Sequence, residues 1–229
     1  MQGDAVDKRV LVITGGTVMR VAPRLDAFDL VVAADSGVDS AFALGLHPDV
    51  VIGDLDSVSA SGLARVRESN VTVIQSPTDK DLTDTELALA HLLTVGARHA
   101  TVLSPGGGRL DHSHGLLAAL ANPTLSTIAV EAIIDTAHVT VLHGADTRSI
   151  PLRGSHLTAL HAMNGVARGV TTSGFRWNLT NEDLAPWVSR GVSNEMVAPV
   201  AEVSVDHGAL IVVQPLAHNQ SPTPNTKET

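Results

Sequence analysis

The segment HPDVVIGDLDS, His47 to Ser57, decides the fold: a short apolar run, Val50 to Ile52, stops at a glycine and is followed by two aspartates two residues apart. An apolar run with no polar alternation suits a strand covered on both faces, as in parallel sheets packed under helices. The same texture recurs in VLVIT from Val10, LVVAA from Leu30, VTVIQ from Val71 and ATVLS from Ala100. Helical stretches lie between these runs. Residues 37 to 44 end at Gly45, and residues 60 to 67 follow a serine-rich start. Thr83 and Glu86 form a capping box before LALAHLLTV, which Gly96 closes. Strand and helix in alternation predict an open parallel α/β sheet.

The stretch TIAVEAII, Thr127 to Ile134, supplies the last strand of that sheet in this reading. Beyond it the texture changes to short β-branched runs, HVTVL, GVTT, AEVSV and ALIVV, separated by Gly, Asn and Asp. A small all-β sandwich follows from that pattern. The expected division is an α/β catalytic domain over residues 8–135, a β-sandwich over 136–217, and a polar, proline-bearing disordered tail over 218–229.

Composition narrows the function classes. The chain has 229 residues, 44% of them hydrophobic, so it can bury a substantial core. Its only aromatics are Phe28, Phe42, Phe175, Trp177 and Trp187, leaving Val, Leu, Ile and Ala to fill that core. The formal charge is −9, without a Lys/Arg run or basic-aromatic interleaving, which argues against nucleic acid as a partner. No cysteine is present, which removes disulfides, thiolate metal sites and cysteine nucleophiles. No run approaches the roughly 20 apolar residues of a membrane span, and none resembles a signal peptide. A cytoplasmic protein without membrane association is expected.

The chemistry gathers at strand ends. Ligand crevices of open α/β sheets lie beyond the carboxyl ends of the strands. Asp35 and Ser36 follow LVVAA, Asp54 and Asp56 follow DVVIG, Asp79, Asp81 and Asp84 follow VTVIQSP, and GGGRLDH follows ATVLSP. Two carboxylates about 4 Å apart repel by about 4 kcal/mol at an effective dielectric near 20, so such a cluster calls for a cation or a proton.

In an extended GDLDS both carboxylates point the same way and can share a hard cation. An Asx turn capping the next helix is the competing reading. Asp79 and Asp81 suit either a metal role or a solvated acidic loop. Lys80 is either a counter-ion or a phosphate contact, and Asp111 either a helix cap or a ligand. Gly106, Gly107 and Gly108 allow close approach of an anion, and Arg109 offers a bidentate grip on phosphate. His112 and His114, two apart on a helix, fall on different faces and are not expected to act as ligands. The dinucleotide fingerprint, the Walker loop, H-E-x-x-H and G-x-S-x-G are all absent.

In order and spacing, ADSG, PDVVIGDLDSV, DKDLTDTELAL and GGGRLDH resemble the signature of the thiamine pyrophosphokinase family, and GFRWNLTNEDL and GVSNE resemble its thiamine-binding segments. The resemblance implies an α/β catalytic domain followed by a β-sandwich, usually in a homodimer with thiamine near the subunit junction. It implies transfer of pyrophosphate from ATP to the hydroxyl of thiamine, giving thiamine diphosphate and AMP, with magnesium required. Carried over by position, Asp54, Asp56 and Asp84 match the metal-site acids, and Asp35 and Asp111 match further acids at the same rim. Thr83, Lys80 and Arg109 then surround the phosphates with Gly107 and Gly108, while Trp177, Ser193 and Asn194 match the substrate-domain motif. An indole such as Trp177 can stack on the cationic thiazolium, or be an ordinary core residue. This chain has Ser36 where many members have glycine, and Lys80 where some have Gln. Competing readings are a pyrophosphokinase acting on another hydroxymethyl heterocycle, such as a pterin, and a thiamine- or nucleotide-binding protein without turnover.

Overall fold

A computed structural model describes residues 7–16, 25–107 and 109–216. The expected tail and Gly108 lie outside the described residues. Six parallel strands form the first half: β1 (Arg9–Thr14), β2 (Leu30–Ala34), β3 (Val50–Gly53), β4 (Thr72–Gln75), β5 (His99–Ser104) and β6 (Ala129–Ile134), in the spatial order β4-β3-β2-β1-β5-β6. Helices α1 (Gly37–Ala43), α2 (Ala60–Glu68), α3 (Asp84–Thr94) and α4 (Leu110–Leu120) cover both faces.

Alternate side chains of each strand serve opposite layers. Val10, Val12, Val32 and Val102 pack with Leu89 and Leu92 of α3 and Leu116 and Leu120 of α4. Leu11, Ile13 and Leu103 turn the other way onto Ala41 of α1, while Ala33 and Val51 meet Val38 of α1 and Val66 of α2. Burial on both faces is what the unalternating apolar runs require; β4, at the sheet edge, departs from it, with Val73 and Ile74 exposed. The capping box at α3 is formed: Thr83 Oγ accepts from the Glu86 N–H at 3.2 Å, and Glu86 Oε2 accepts from the Thr83 N–H at 2.9 Å.

The second half comprises β7 (Ala137–His143), β8 (Asp146–Pro151), β9 (Leu157–Ser173), β10 (Glu182–Leu184), β11 (Asn194–Glu195), β12 (Val200–Val205) and β13 (His207–Pro215). β6 turns directly into antiparallel β7, with Ile134 paired to Ala137, so the backbone ladder runs straight through the expected boundary at 135/136. From β7 the ladder continues through β13 to β9, then to β12 and β8. β9 is shared by two layers, pairing with β13 along its first part and with β12 at Thr171–Ser173. Between the layers Leu142, Leu160, Leu210 and Val212 meet Ile150, Ala201, Val203 and Phe175 in a separate core. The sheet is continuous, and the first core takes in Val139, Val141 and Ile211 of β7 and β13, whose other faces meet the second core.

GVTT is the end of a 17-residue strand, not a strand of its own. Gly165 and Gly169, which look like separators in sequence, sit inside β9 with positive φ. β8, with the sequence DTRSIP, carries two charges and a proline and has no apolar signature.

α1 begins against the backbone of β1. A Cβ added to Gly37 would stand 2.1 Å from the Ile13 carbonyl oxygen and 3.0 Å from the Thr14 carbonyl carbon. Gly37→Ala is therefore expected to destabilise the protein by about 1–3 kcal/mol through overpacking, outweighing a helix-propensity gain of at most ~1 kcal/mol. Urea unfolding monitored by circular dichroism tests this; an unchanged or raised midpoint would show that α1 can shift without loss.

Candidate active site

β1 lies between β2 and β5, and the chain winds outward from β1 to β4 before returning on the other side. The connections after β1 and β5 consequently diverge, opening a crevice at the carboxyl ends of the strands. Thr14, Gly15 and Gly16 form one wall, and Ser104, Gly106 and Gly107 the other. A Cβ on Gly16 would lie 3.4 Å from the Gly106 carbonyl oxygen. The cleft encloses about 1000 Å³ and extends along α4 to Asn122 and Asn164.

Three acids converge beside it. Asp35 after β2, Asp54 after β3 and Asp84 at the start of α3 each bring a carboxylate oxygen within 4.8 Å of the others. Asp35 has φ 46°, and its N–H donates to the Ile52 carbonyl at 2.8 Å, which ties the end of β2 to β3. Gly53 makes the approach possible. With φ 151°, it leaves open a place where a Cβ would stand 3.1 Å from Asp84 Cγ and 3.2 Å from Asp35 Cβ.

The Lys80 ammonium reaches two of these acids, at 3.4 Å from Asp54 Oδ2 and 3.2 Å from Asp84 Oδ1. The Ser76 hydroxyl also donates to Asp84 Oδ1, at 3.2 Å. Asp35 Oδ1 is buried without a hydrogen-bond partner. Burial raises the Asp35 pKa, with further upward pushes from Asp84 and Asp54; the Ser36 N–H and Ser57 oppose them. Asp54 is lowered instead, chiefly by the Asp56 N–H and then by Lys80, despite some desolvation. Three converging carboxylates with one orphaned buried oxygen fit a hard divalent cation that takes oxygen ligands.

Asp56 is not brought into this triad. Leu55 has φ 66°, so GDLDS is not extended, and the assumption that placed both carboxylates on one side does not hold. Asp56 is exposed; its N–H donates to Asp54 Oδ1 at 3.2 Å and its Oδ1 accepts from Ser57 at 2.9 Å. Asp54 thus takes part in an Asx turn and in the triad at once. Asp79 is exposed and is not among the residues lining the cleft, whereas Asp81, Thr83 and Lys80 line it.

Arg109 and Gly107 also line the cleft. The Arg109 guanidinium pairs with Asp111 through Nε at 3.1 Å and through Nη2. That pairing is the main cause that lowers the Asp111 pKa to about 2. The N-cap residue of α4, Arg109, makes no side-chain capping bond, while the Asp111 carboxylate in the first turn is also held by the His112 N–H. His112 faces the cleft and His114 does not line it, as a spacing of two on a helix requires. The Ser36 hydroxyl lies 2.0 Å from where a Cβ on Gly15 would be, so Ser36 fills the space that Gly15 leaves.

Trp177, Ser193 and Asn194 lie in the sandwich half, and none lines the cleft among the described residues. Trp177 is 53% exposed, so it is not a core residue, and the Arg176 guanidinium stands 4.7 Å from its ring centroid. Asn194 is buried and holds the Trp177 backbone: Nδ2 donates to the Trp177 carbonyl at 2.8 Å and Oδ1 accepts from the Trp177 N–H at 3.3 Å. Ser193 is exposed with φ 59°.

Two contributions to the cleft belong to no recognised motif. Gly15 and Gly16 stand in no dinucleotide fingerprint, although their place directly after a strand end is itself a signal. Asn164 reaches the cleft from β9, its Nδ2 donating to the Ala118 and Ala121 carbonyls at 3.0 and 3.1 Å. Nothing in the local sequence of an Asn-Gly pair announces that role.

The thiamin pyrophosphokinase catalytic-domain family model matches residues 22–132, and the vitamin B1 binding domain model of the same family matches residues 156–210. Thiamine pyrophosphokinase of Bacillus subtilis (strain 168) is 22% identical over 211 residues, covering 90% of this chain and 98% of its own. Thiamine pyrophosphokinase 1 of Oryza sativa subsp. japonica is 25% identical over 208 residues, covering 80% and 78%. Among solved structures, that of thiamine pyrophosphokinase from Bacillus subtilis superposes with a TM-score of 0.79 at 22% identity, over 91% of this chain and 99% of that one. A thiamin pyrophosphokinase family protein from Enterococcus faecalis superposes with a TM-score of 0.76 at 26% identity, over 90% and 98%.

A carboxylate whose pKa is raised by folding contributes stability only while protonated, and that contribution is lost as pH rises through its folded pKa. Asp35→Asn removes this charge and keeps a residue that tolerates positive φ. Its thermal midpoint in metal-free buffer at about pH 7.5 is expected to exceed that of the unsubstituted protein, with the gap closing as pH falls into the ordinary aspartate range. A lower midpoint for the variant at neutral pH would contradict the assigned strain.

Proposed function

The chain belongs to the thiamine pyrophosphokinase family, and we propose that it transfers the terminal pyrophosphoryl group of ATP to the hydroxyethyl oxygen of thiamine, giving thiamine diphosphate and AMP. The observation that carries this reading is the acid triad set beside glycine loops at the switch point of the sheet. The match of a vitamin B1 binding domain to residues 156–210 favours thiamine over a pterin.

Asp54 and Asp84, with Asp35 in the place expected of Asp56, would hold magnesium. When bound, the ion supplies charge neutralisation at the phosphate oxygens, which phosphoryl transfer needs more than covalent help. The chain's own groups do the positioning. Gly15, Gly16 and Gly107 let backbone approach the phosphates, the N-terminus of α4 favours an anion, and Arg109, once released from Asp111, grips phosphate oxygens. Gly108 belongs to the same proposed loop. Thr83 fixes the start of α3 and so the place of Asp84, and Asp56 steadies Asp54 through its N–H.

Asp35 and Asp111 are the two candidates for the acceptor of the thiamine hydroxyl proton. Without metal, burial raises the proton affinity of Asp35 and Arg109 depresses that of Asp111; a bound divalent ion works against the first of these shifts.

Thiamine is assigned to the sandwich residues Trp177 and Ser193, with Asn194 holding Trp177 in place. Trp177 is exposed, as are Leu157, Trp187, Val192 and Val197 of the same half, and these apolar side chains are assigned to contact with a second copy of the chain. A homodimer with thiamine near the subunit junction accounts for the placement of these residues off the cleft of their own subunit. The division into domains at 8–135 and 136–217 follows the change from α/β to all-β structure, while the first core takes in Val139, Val141 and Ile211 from beyond it. Use of ATP fits a cytoplasmic location, and among the described residues no helix is long and apolar enough to cross a membrane.

Incubation with ATP, magnesium and thiamine is expected to yield AMP and thiamine diphosphate in equal amounts, resolved by ion-exchange chromatography. ADP as the sole nucleotide product, or turnover indifferent to thiamine, would overturn the assignment.

A further inference from the structure

We propose that Lys80 is a built-in counter-cation of the acid triad, which yields its place when a divalent ion enters. Metal therefore loads with the triphosphate and not ahead of it. The coupling to nucleotide rests on the ATP reading above; the displacement does not.

The Lys80 side chain is only 15% exposed and lies between carboxylates that are themselves 11% and 19% exposed. Its ammonium has three protons to donate. It donates to Asp54 Oδ2 at 3.4 Å and to the Pro77 carbonyl at 3.0 Å, and pairs with Asp84 Oδ1 at 3.2 Å. Nothing remains for the third acid, and Asp35 Oδ1 is buried without a partner. A univalent ammonium thus serves two acids where three converge. A divalent ion carries twice the charge and draws ligands from all sides, so it suits the full set better.

The two cations cannot share the site easily. An ion among these oxygens draws on the same Asp54 and Asp84 carboxylates that Lys80 pairs with, and the charges repel at short range. Lys80 has somewhere to go, because its side chain also borders the cleft and sits on a flexible four-carbon stem. Without nucleotide, displacement takes the ammonium away from both of its buried carboxylates and leaves it only the solvated acids of the cleft, such as Asp81. With a triphosphate in the cleft, the same movement gives it a new anionic partner. Metal and nucleotide must then favour each other's binding by the same factor.

Calorimetric titration of Mg²⁺ into the full chain, with and without α,β-methylene ATP, tests this in the unsubstituted protein and in Lys80→Met. The variant is expected to bind Mg²⁺ without nucleotide at least tenfold more tightly. Addition of the analogue is expected to tighten Mg²⁺ binding at least tenfold more in the unsubstituted protein than in the variant. Lys80→Gln, which retains a donor for the Pro77 carbonyl, should behave the same way and serves if Lys80→Met does not fold.

Unchanged or weaker nucleotide-free Mg²⁺ binding in the folded variant overturns the proposal, leaving Lys80 as a structural tie or a phosphate contact alone. A tenfold gain with no effect of the analogue on either protein upholds the displacement and contradicts the ATP reading instead.

Discussion

Three aspartates held close enough to repel one another are the constraint on which the rest of the molecule turns. Asp35, Asp54 and Asp84 come from two strand ends and one helix start, so the convergence exists only in the folded sheet. Left alone it would oppose folding. Lys80 relieves two of the three charges, and the capping box at Thr83 fixes the backbone from which Asp84 projects. Asp35, least served by either, is the group whose ionisation burial penalises most plainly. A protein that retains such a cluster needs it for something besides stability, and cation-assisted chemistry on an anionic substrate is the use that fits.

The parallel sheet supplies the framework for that cluster. Strand order alone places the β1 and β5 connections at the switch point and the triad next to them. The sandwich is not hung from this framework by a linker. Its first strand is the antiparallel neighbour of the last parallel strand, and Asn164 ties β9 back to the end of α4. The geometry of the cleft therefore depends on both halves, and disturbing the sandwich should be felt along α4.

How much could be read in advance differed with the range of the interaction. Local signals were reliable: the apolar runs became the parallel strands, Thr83 and Glu86 form their capping box, and Gly45 and Gly96 follow their helices with positive φ. The acidic rim was legible because strand ends of an open sheet share one edge. Asp56 shows where that reasoning stops, since the backbone of Leu55 determines where its neighbours point and composition does not reveal a positive φ. β8 and the length of β9 were hidden because their pairing is set by tertiary partners and not by an apolar pattern of their own. Ser36 replaces a glycine of the resembling motif, yet it fits because Gly15 leaves room for its hydroxyl.

The central claim is that the triad is a divalent-cation site belonging to the nucleotide cleft. Anomalous diffraction from crystals grown with Mn²⁺ and α,β-methylene ATP addresses it most directly. The account predicts an anomalous peak among Asp35, Asp54 and Asp84, with phosphate oxygens on its open side and the Lys80 ammonium moved toward them. A nucleotide bound in the cleft with no ion at the triad, or with Mn²⁺ held by other residues, would contradict it.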